Sequence, residues 1–262
     1  MNLLSASLLS LSLGTAAMAQ ETTSAALPSG SVSTLSSADI QAVSPALARY
    51  GKEDIRRLWD RPQLSRRDRS LVTASILIAR SQTTDLAHHL NVALDSGVSP
   101  GELSEAVTHL AFYAGWPNAM AAVAVAKDVF TARGVDPSEL PEASPELRAI
   151  DEEAERTRRA SVERLLGTAS PGLDQFTTDP LFADVWLRPG LTPRDRSLVT
   201  ITSLMANGQV AQLAGHLDRA LDNGLTKEET GEVVTQIAFY AGWPNAFSAG
   251  PVVKDVIENR PN

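Results

Sequence analysis

Apolar residues recur along this chain at spacings of three and four, the period of a helix with one buried face. Asp39–Tyr50 and Glu53–Asp60 read as short helices, and Ser65 to about Arg80 as a longer one with Ser65 at its N-cap and Asp68 three residues on. Thr84–Ser96 carries Leu86, Leu90, Ala93 and Leu94 on one side, and Gly97 suits the position just past its end. Ser99-Pro100-Gly101-Glu102 opens a helix that runs to Tyr113. Gly115-Trp116-Pro117 breaks the chain, and a further helix runs to about Arg133. Residues 134–145 are rich in proline and acid and read as a linker. Glu146–Leu166 follows as a charged helix with Leu147, Ile150, Ala154, Val162 and Leu165 on one side; its Glu/Arg pairs suggest a solvated face. No alternating strand pattern of useful length occurs. The expected fold is all-α.

The pattern repeats. Residues 59–129 return at 186–256 without a gap, each shifted by 127, with more than half the positions identical. Arg67 to Thr73 returns letter for letter as Arg194 to Thr200, and Ala111 to Ala119 as Ala238 to Ala246. Two long units suggest a fused pair related by a pseudo-two-fold axis rather than a solenoid. The repeats are expected at 38–133 and 146–262. The duplication also weights candidates, because a residue kept at both equivalent positions is the better candidate for shared chemistry.

Composition narrows the setting. A hydrophobic share of 43% with 21% charge suits a protein with a real core. A net charge of −8 speaks against nucleic acid and means that any acidic ligand needs a local Arg or His. Leu3–Met18 is apolar, and Ala17-Met18-Ala19 forms an A-x-A cleavage site. The expectation is a signal peptide over 1–19, a flexible leader over 20–37, and a periplasmic or secreted protein beginning at Gln20 with no membrane attachment after cleavage. The chain has no cysteine, which excludes disulfides and thiol catalysis.

Of four histidines, His88 faces Gly215 and His109 faces Gln236 across the repeat, so only His89 and His216 coincide. Each follows a polar residue by four: Asp85 in the first half, Gln212 in the second. On one helix face a carboxylate can orient an imidazole and raise its pKa. His89 is therefore expected to face a pocket, with His88 turned about 100° away; a buried, hydrogen-bonded histidine is the competing reading. Arg67, Arg69, Arg194 and Arg196 offer bidentate forks for a substrate carboxylate, or else hold helices together through ion pairs. Trp116 and Trp243 can line a pocket or pack in an interface. Asp85, His88 and His89 look suggestive of a metal site, but the second half replaces them with Gln212, Gly215 and His216, so no metal is expected.

Taken together, Arg-x-Arg-Ser-Leu, Asp/Gln-Leu-x-x-His-Leu, Asn/Ser-Gly-Val/Leu-Ser/Thr-x-x-Glu and Tyr-Ala-Gly-x-Pro-x-Ala resemble the carboxymuconolactone decarboxylase family. The resemblance implies an all-helical fold of the alkyl hydroperoxidase D type and a reaction without a cofactor. Single-repeat decarboxylases of this kind form hexamers, so two fused repeats imply a trimer. The hydroperoxidase Cys-x-x-Cys falls on Gln82 and Asp85, and on Gln209 and Gln212; its upstream glutamate falls on Ser70 and Ser197. Peroxidase chemistry is therefore excluded. Decarboxylase members resemble Glu-Leu-x-x-His here, so Asp85 with His89 keeps the acid one methylene shorter and Gln212 with His216 loses it. The expected activity is loss of CO₂ from a small carboxylated lactone or enol acid, with His89 as proton donor and His216 in a lesser role. The competing hypothesis is an exported binding or assembly protein that kept the scaffold and lost the chemistry, since the family's named reaction belongs to a cytoplasmic pathway.

Overall fold

Two helices have almost no exposed side. From Asp68 to Ala79, and again from Asp195 to Ala206, every residue is buried. Helices covered all round belong at the centre of a protein, and the fold is built around this pair.

A computed structural model describes residues 35–260. The first repeat runs through α1 (Ser37–Val43), α2 (Pro45–Tyr50), a π-helical turn (Gly51–Ile55), α3 (Arg56–Trp59), α4 (Arg66–Ala79), α5 (Leu86–Asp95), α6 (Pro100–Tyr113) and α7 (Trp116–Arg133). After a short 3₁₀ turn (Pro137–Glu139) come α8 (Glu152–Leu166), α9 (Pro171–Phe176), a second π-helical stretch (Thr177–Val185), α10 (Pro193–Ala206), α11 (Val210–Asp222), α12 (Lys227–Ala241) and α13 (Trp243–Asn259). No strand occurs among the described residues. The chain is all-α, as the periodicity implied. The expected signal peptide and nearly all of the expected leader lie outside the described residues.

The repeats interlock. α4 packs against α10, and each also packs against a helix of the opposite repeat: α4 on α12, α10 on α6. One continuous core results, from Leu64 to Val253. At the crossing, Arg67 reaches Asp195 (3.0 Å) and Arg194 reaches Asp68 (2.9 Å), a reciprocal exchange of the kind a two-fold axis produces. Ser65 and Thr192 cap their helices by accepting from the backbone N–H of Asp68 and Asp195. Glu102 and Glu229 close capping boxes on α6 and α12 and also receive Arg67 and Arg194.

The crossing helices carry their polar contacts at i, i+4 and i+8, one face of a helix. On α12, Glu232 accepts from Arg61 (2.8 Å) and Arg69 (3.0 Å), Gln236 donates to Thr73 (2.8 Å), and Tyr240 accepts from Trp59 Nε1 (2.9 Å). On α6, Glu105 accepts from Arg188 (2.9 Å) and Arg196 (3.0 Å), His109 meets Thr200 (2.7 Å), and Tyr113 accepts from Trp186 Nε1 (2.9 Å). Every one of these bonds joins one repeat to the other.

Two boundaries differ from expectation. α5 begins at Leu86, leaving Asp85 at the N-cap and His89 in the first turn rather than mid-helix. α8 begins at Glu152, because the preceding segment is pulled into extended hydrogen bonding. There Arg148 donates from its backbone to Leu187 O and from its guanidinium to Arg188 O and Leu191 O, while Arg188 donates back to Glu142 O and Ala143 O. These bonds outweigh the helical spacing of Leu147 and Ile150. Nor is the charged face of α8 wholly solvated, since Arg158 stacks 4.3 Å from the Phe182 ring.

Candidate active site

The fixed crossing of α12 over α4 puts Tyr240 of the second repeat beside His89 of the first. The His89 imidazole is 2% exposed. It stacks on Trp59 at 6.4 Å and meets the Tyr240 ring edge-on at 5.4 Å. Beside them opens a cavity of about 910 Å³ whose wall includes Asp85, Tyr240, Phe239, Trp243 and Arg80, together with Leu47, Tyr50 and Ile55. The expectation that His89 itself faces a pocket is thus corrected: Asp85 and Tyr240 form the wall, and the imidazole lies one layer behind. Burial pushes the Tyr240 phenol up to about 12. The hydroxyl therefore keeps its proton at neutral pH. It already accepts the Trp59 N–H, so its own hydrogen is not spent on that bond.

The second repeat builds the same constellation with different tuning. His216 stacks on Trp186 at 6.1 Å and meets Tyr113 edge-on at 5.3 Å. Burial, and then the Arg219 charge, lower its pKa to about 4. Gln212, the counterpart of Asp85, is exposed. Arg219 lies 5.0 Å from the Trp186 ring and 5.2 Å from Phe182, where the first repeat has Val92 and Ile55. His109, set aside above because its counterpart is Gln236, belongs to this cluster: it stacks on Tyr113 at 4.7 Å and meets Trp186 at 5.2 Å. Thr200 spends its own hydrogen on Arg196 O, so His109 Nε2 must donate to Thr200 Oγ1, as Gln236 donates to Thr73. An amide and a neutral imidazole thus do the same job. Burial, reinforced by Arg196 and His216, keeps the His109 pKa well below the ordinary imidazole value.

The four arginines resolve as ties between helices. Arg69 and Arg196 are fully buried and held by Glu232 and Glu105. Arg67 and Arg194 are held by Asp68, Asp195 and the capping-box glutamates. Each is committed to carboxylates of the chain itself, and of the two alternatives the geometry shows ion pairing, not a free fork for substrate. Trp116 and Trp243 are 61% and 52% exposed, and of the two only Trp243 borders the cavity. Sequence reasoning missed Tyr240, Tyr113, Trp59 and Trp186. All four are kept across the repeat, so the criterion that picked out His89 and His216 picks them out too.

Two interlocked helical repeats, each placing a histidine against a Trp–Tyr pair shared between the halves, define a duplicated, cysteine-free, all-helical fold. The sequence pattern of the carboxymuconolactone decarboxylase family matches residues 42–128 and 171–255, and the chain belongs to that family. It is similar to the 4-carboxymuconolactone decarboxylase of Acinetobacter baylyi, 39% identical over 83 residues covering 32% of this chain and 62% of that protein. It is also similar to the nitrosuccinic acid decarboxylase npaB of Metarhizium robertsii, 38% identical over 68 residues covering 26% of this chain and 48% of the relative. The matched segments thus span less than two thirds of either relative.

The depressed histidines set an acid limit. Below about pH 6.5 the unfolded chain takes up protons that folded His109 and His216 refuse, so their stability contribution is complete above that pH and is lost as the pH falls, down to about 4 in the case of His216. The slope approaches about 1.4 kcal/mol per pH unit for each histidine. Urea midpoints measured from pH 7 downward are expected to fall, and less steeply in His109→Gln, which installs the first repeat's solution. An equal slope in the variant contradicts the assignment.

Proposed function

We propose that the protein is a cofactor-independent carboxy-lyase acting on a small carboxylated lactone or enol acid in the first-repeat cavity. The observation that carries this is the cavity wall itself, with Asp85 from one repeat, Tyr240 from the other and His89 directly behind. When the C–C bond to the departing CO₂ breaks, its electron pair moves into an enolate or dienolate. The Tyr240 hydroxyl, protonated and with its hydrogen uncommitted to Trp59, is suited to donate to that oxyanion. Asp85, on the wall, passes to carbon the proton that replaces CO₂ and is recharged from His89 behind it. Both similar proteins are named as decarboxylases, one of a carboxylated lactone and one of a dicarboxylic acid, which supports this substrate class. No step calls for a metal or an organic cofactor.

The second site keeps the aromatic frame and the histidine, but it lacks the carboxylate and adds Arg219. His89→Ala is therefore expected to remove most activity, by about 10²–10⁴-fold, and His216→Ala to remove less. The assay is CO₂ release or ultraviolet change over a panel of carboxylated lactones and enol acids. Equal loss from both variants refutes the asymmetry. No turnover of any compound by the wild type favours the scaffold hypothesis.

The same proposal includes assembly. Trp116, Met120 and Val123 form an exposed apolar row on α7, and Trp243 and Phe247 repeat it on α13. Apolar rows of this kind mark contact surfaces, and a trimer of the two-repeat chain covers them. Light scattering is expected to give the mass of three chains. Met120→Glu with Phe247→Glu is expected to lower it, and a monomeric wild type rejects the assembly.

A further inference from the structure

With Arg67, Arg69, Arg194 and Arg196 committed to internal carboxylates, the chain still needs a cation wherever it binds an acid, because its net charge is −8. Arg80 is the arginine that borders the 910 Å³ cavity. It is the C-cap residue of α4. Its Nη1 donates to Ala206 O of the opposite repeat at 2.7 Å, which fixes where the guanidinium sits. Asp54 and Asp85 border the same cavity, and the Arg80 guanidinium spends one N–H on the Ala206 backbone. A guanidinium has five N–H donors, so most remain for a ligand.

The second repeat shows that the structural bond alone does not require arginine. Its counterpart, Asn207, makes the reciprocal contact, donating from Nδ2 to Ala79 O at 3.3 Å. Both residues tie the repeats together, but only Arg80 also brings charge to a cavity. The next residue adds to the contrast. Ser81 has φ of 55°, the one non-glycine residue with positive φ among those described, while its counterpart is Gly208 at 68°. A left-handed non-glycine residue is strained, and strain of this kind collects at binding sites. Gln82 donates to Arg80 O at 3.1 Å and closes the turn.

We propose that Arg80 is the carboxylate anchor of the first-repeat cavity, and that the cavity selects a ligand with a flat apolar or conjugated body carrying a carboxylate apart from the reacting one. The body lies against Tyr50, Phe239 and Trp243, the retained carboxylate pairs with Arg80, and the reacting end meets Asp85 and Tyr240. The substrate assignment rests on the lyase proposed above; the anchor itself is a binding property that can be measured without turnover.

Calorimetric titration of the full chain with benzoate and with neutral benzamide tests this. Wild type is expected to prefer the acid, and Arg80→Asn, which grafts the second repeat's residue and keeps a donor for Ala206 O, to lose that preference with a roughly tenfold or larger drop in benzoate affinity. Arg80→Lys is expected to retain part of it as a point charge. Circular dichroism and the urea midpoint of Arg80→Asn are expected to match wild type. An unchanged acid-to-amide ratio in Arg80→Asn overturns the anchor, as does a wild type that binds both probes alike or neither. Lost acid preference without lyase turnover in the wild type sinks the lyase but keeps the anchor; turnover with unchanged preference does the reverse.

Discussion

The structure depends on two buried glutamates, each gripped by two arginines of the opposite repeat. Glu232 holds Arg61 and Arg69, and Glu105 holds Arg188 and Arg196. Burying such charges is costly, and removing one partner of a buried pair typically costs about 3–5 kcal/mol because the other is left uncompensated. The interaction thus contributes less to net stability than to register, since any other crossing of α12 over α4 strands a charge. Eight residues beyond each glutamate, two helical turns and about 12 Å along the axis, stands the tyrosine of a candidate site. The register that satisfies Glu232 is therefore the one that delivers Tyr240 to His89.

Because each site draws on both halves, neither repeat holds a complete one. Duplication gave two copies of the same frame, and a few substitutions then separated them. Asp85 against Gln212 changes the acid, Val92 against Arg219 changes the local charge, and Arg80 against Asn207 changes what the cavity rim offers a ligand. Gln236 and His109 differ in name but not in duty, since each donates to a threonine across the interface. The scaffold positions tolerate exchange of one donor for another, while the positions around the histidines are where the two repeats diverge.

Much of this was legible in the sequence. Helical spacing, capping signals and the 127-residue shift pointed to an all-α pair, and the coincidence of His89 with His216 singled out the two histidines that lie against Trp–Tyr pairs. What periodicity could not show was which helix crosses which, because that depends on partners more than 160 residues away, as with Arg69 and Glu232. Hence Arg67, Arg69, Arg194 and Arg196 looked equally like substrate forks and like ion pairs. The tyrosines were overlooked because an isolated phenol does not titrate near neutral pH; only its place behind an indole N–H gives it a role. The α8 boundary was misplaced for a similar reason, since hydrogen bonds from Arg148 to a distant loop override local helical spacing.

The central claim is that the two repeats form one cooperative unit and that the sites exist only within it. Urea unfolding of the full chain, followed together by far-ultraviolet circular dichroism and tryptophan emission, tests this most directly. Trp59 reports on one junction and Trp186 on the other, so single Trp→Phe variants separate their signals. One coincident transition at both junctions and in helix content is the predicted result. Two transitions, with one junction lost while half of the helix signal persists, would contradict the account.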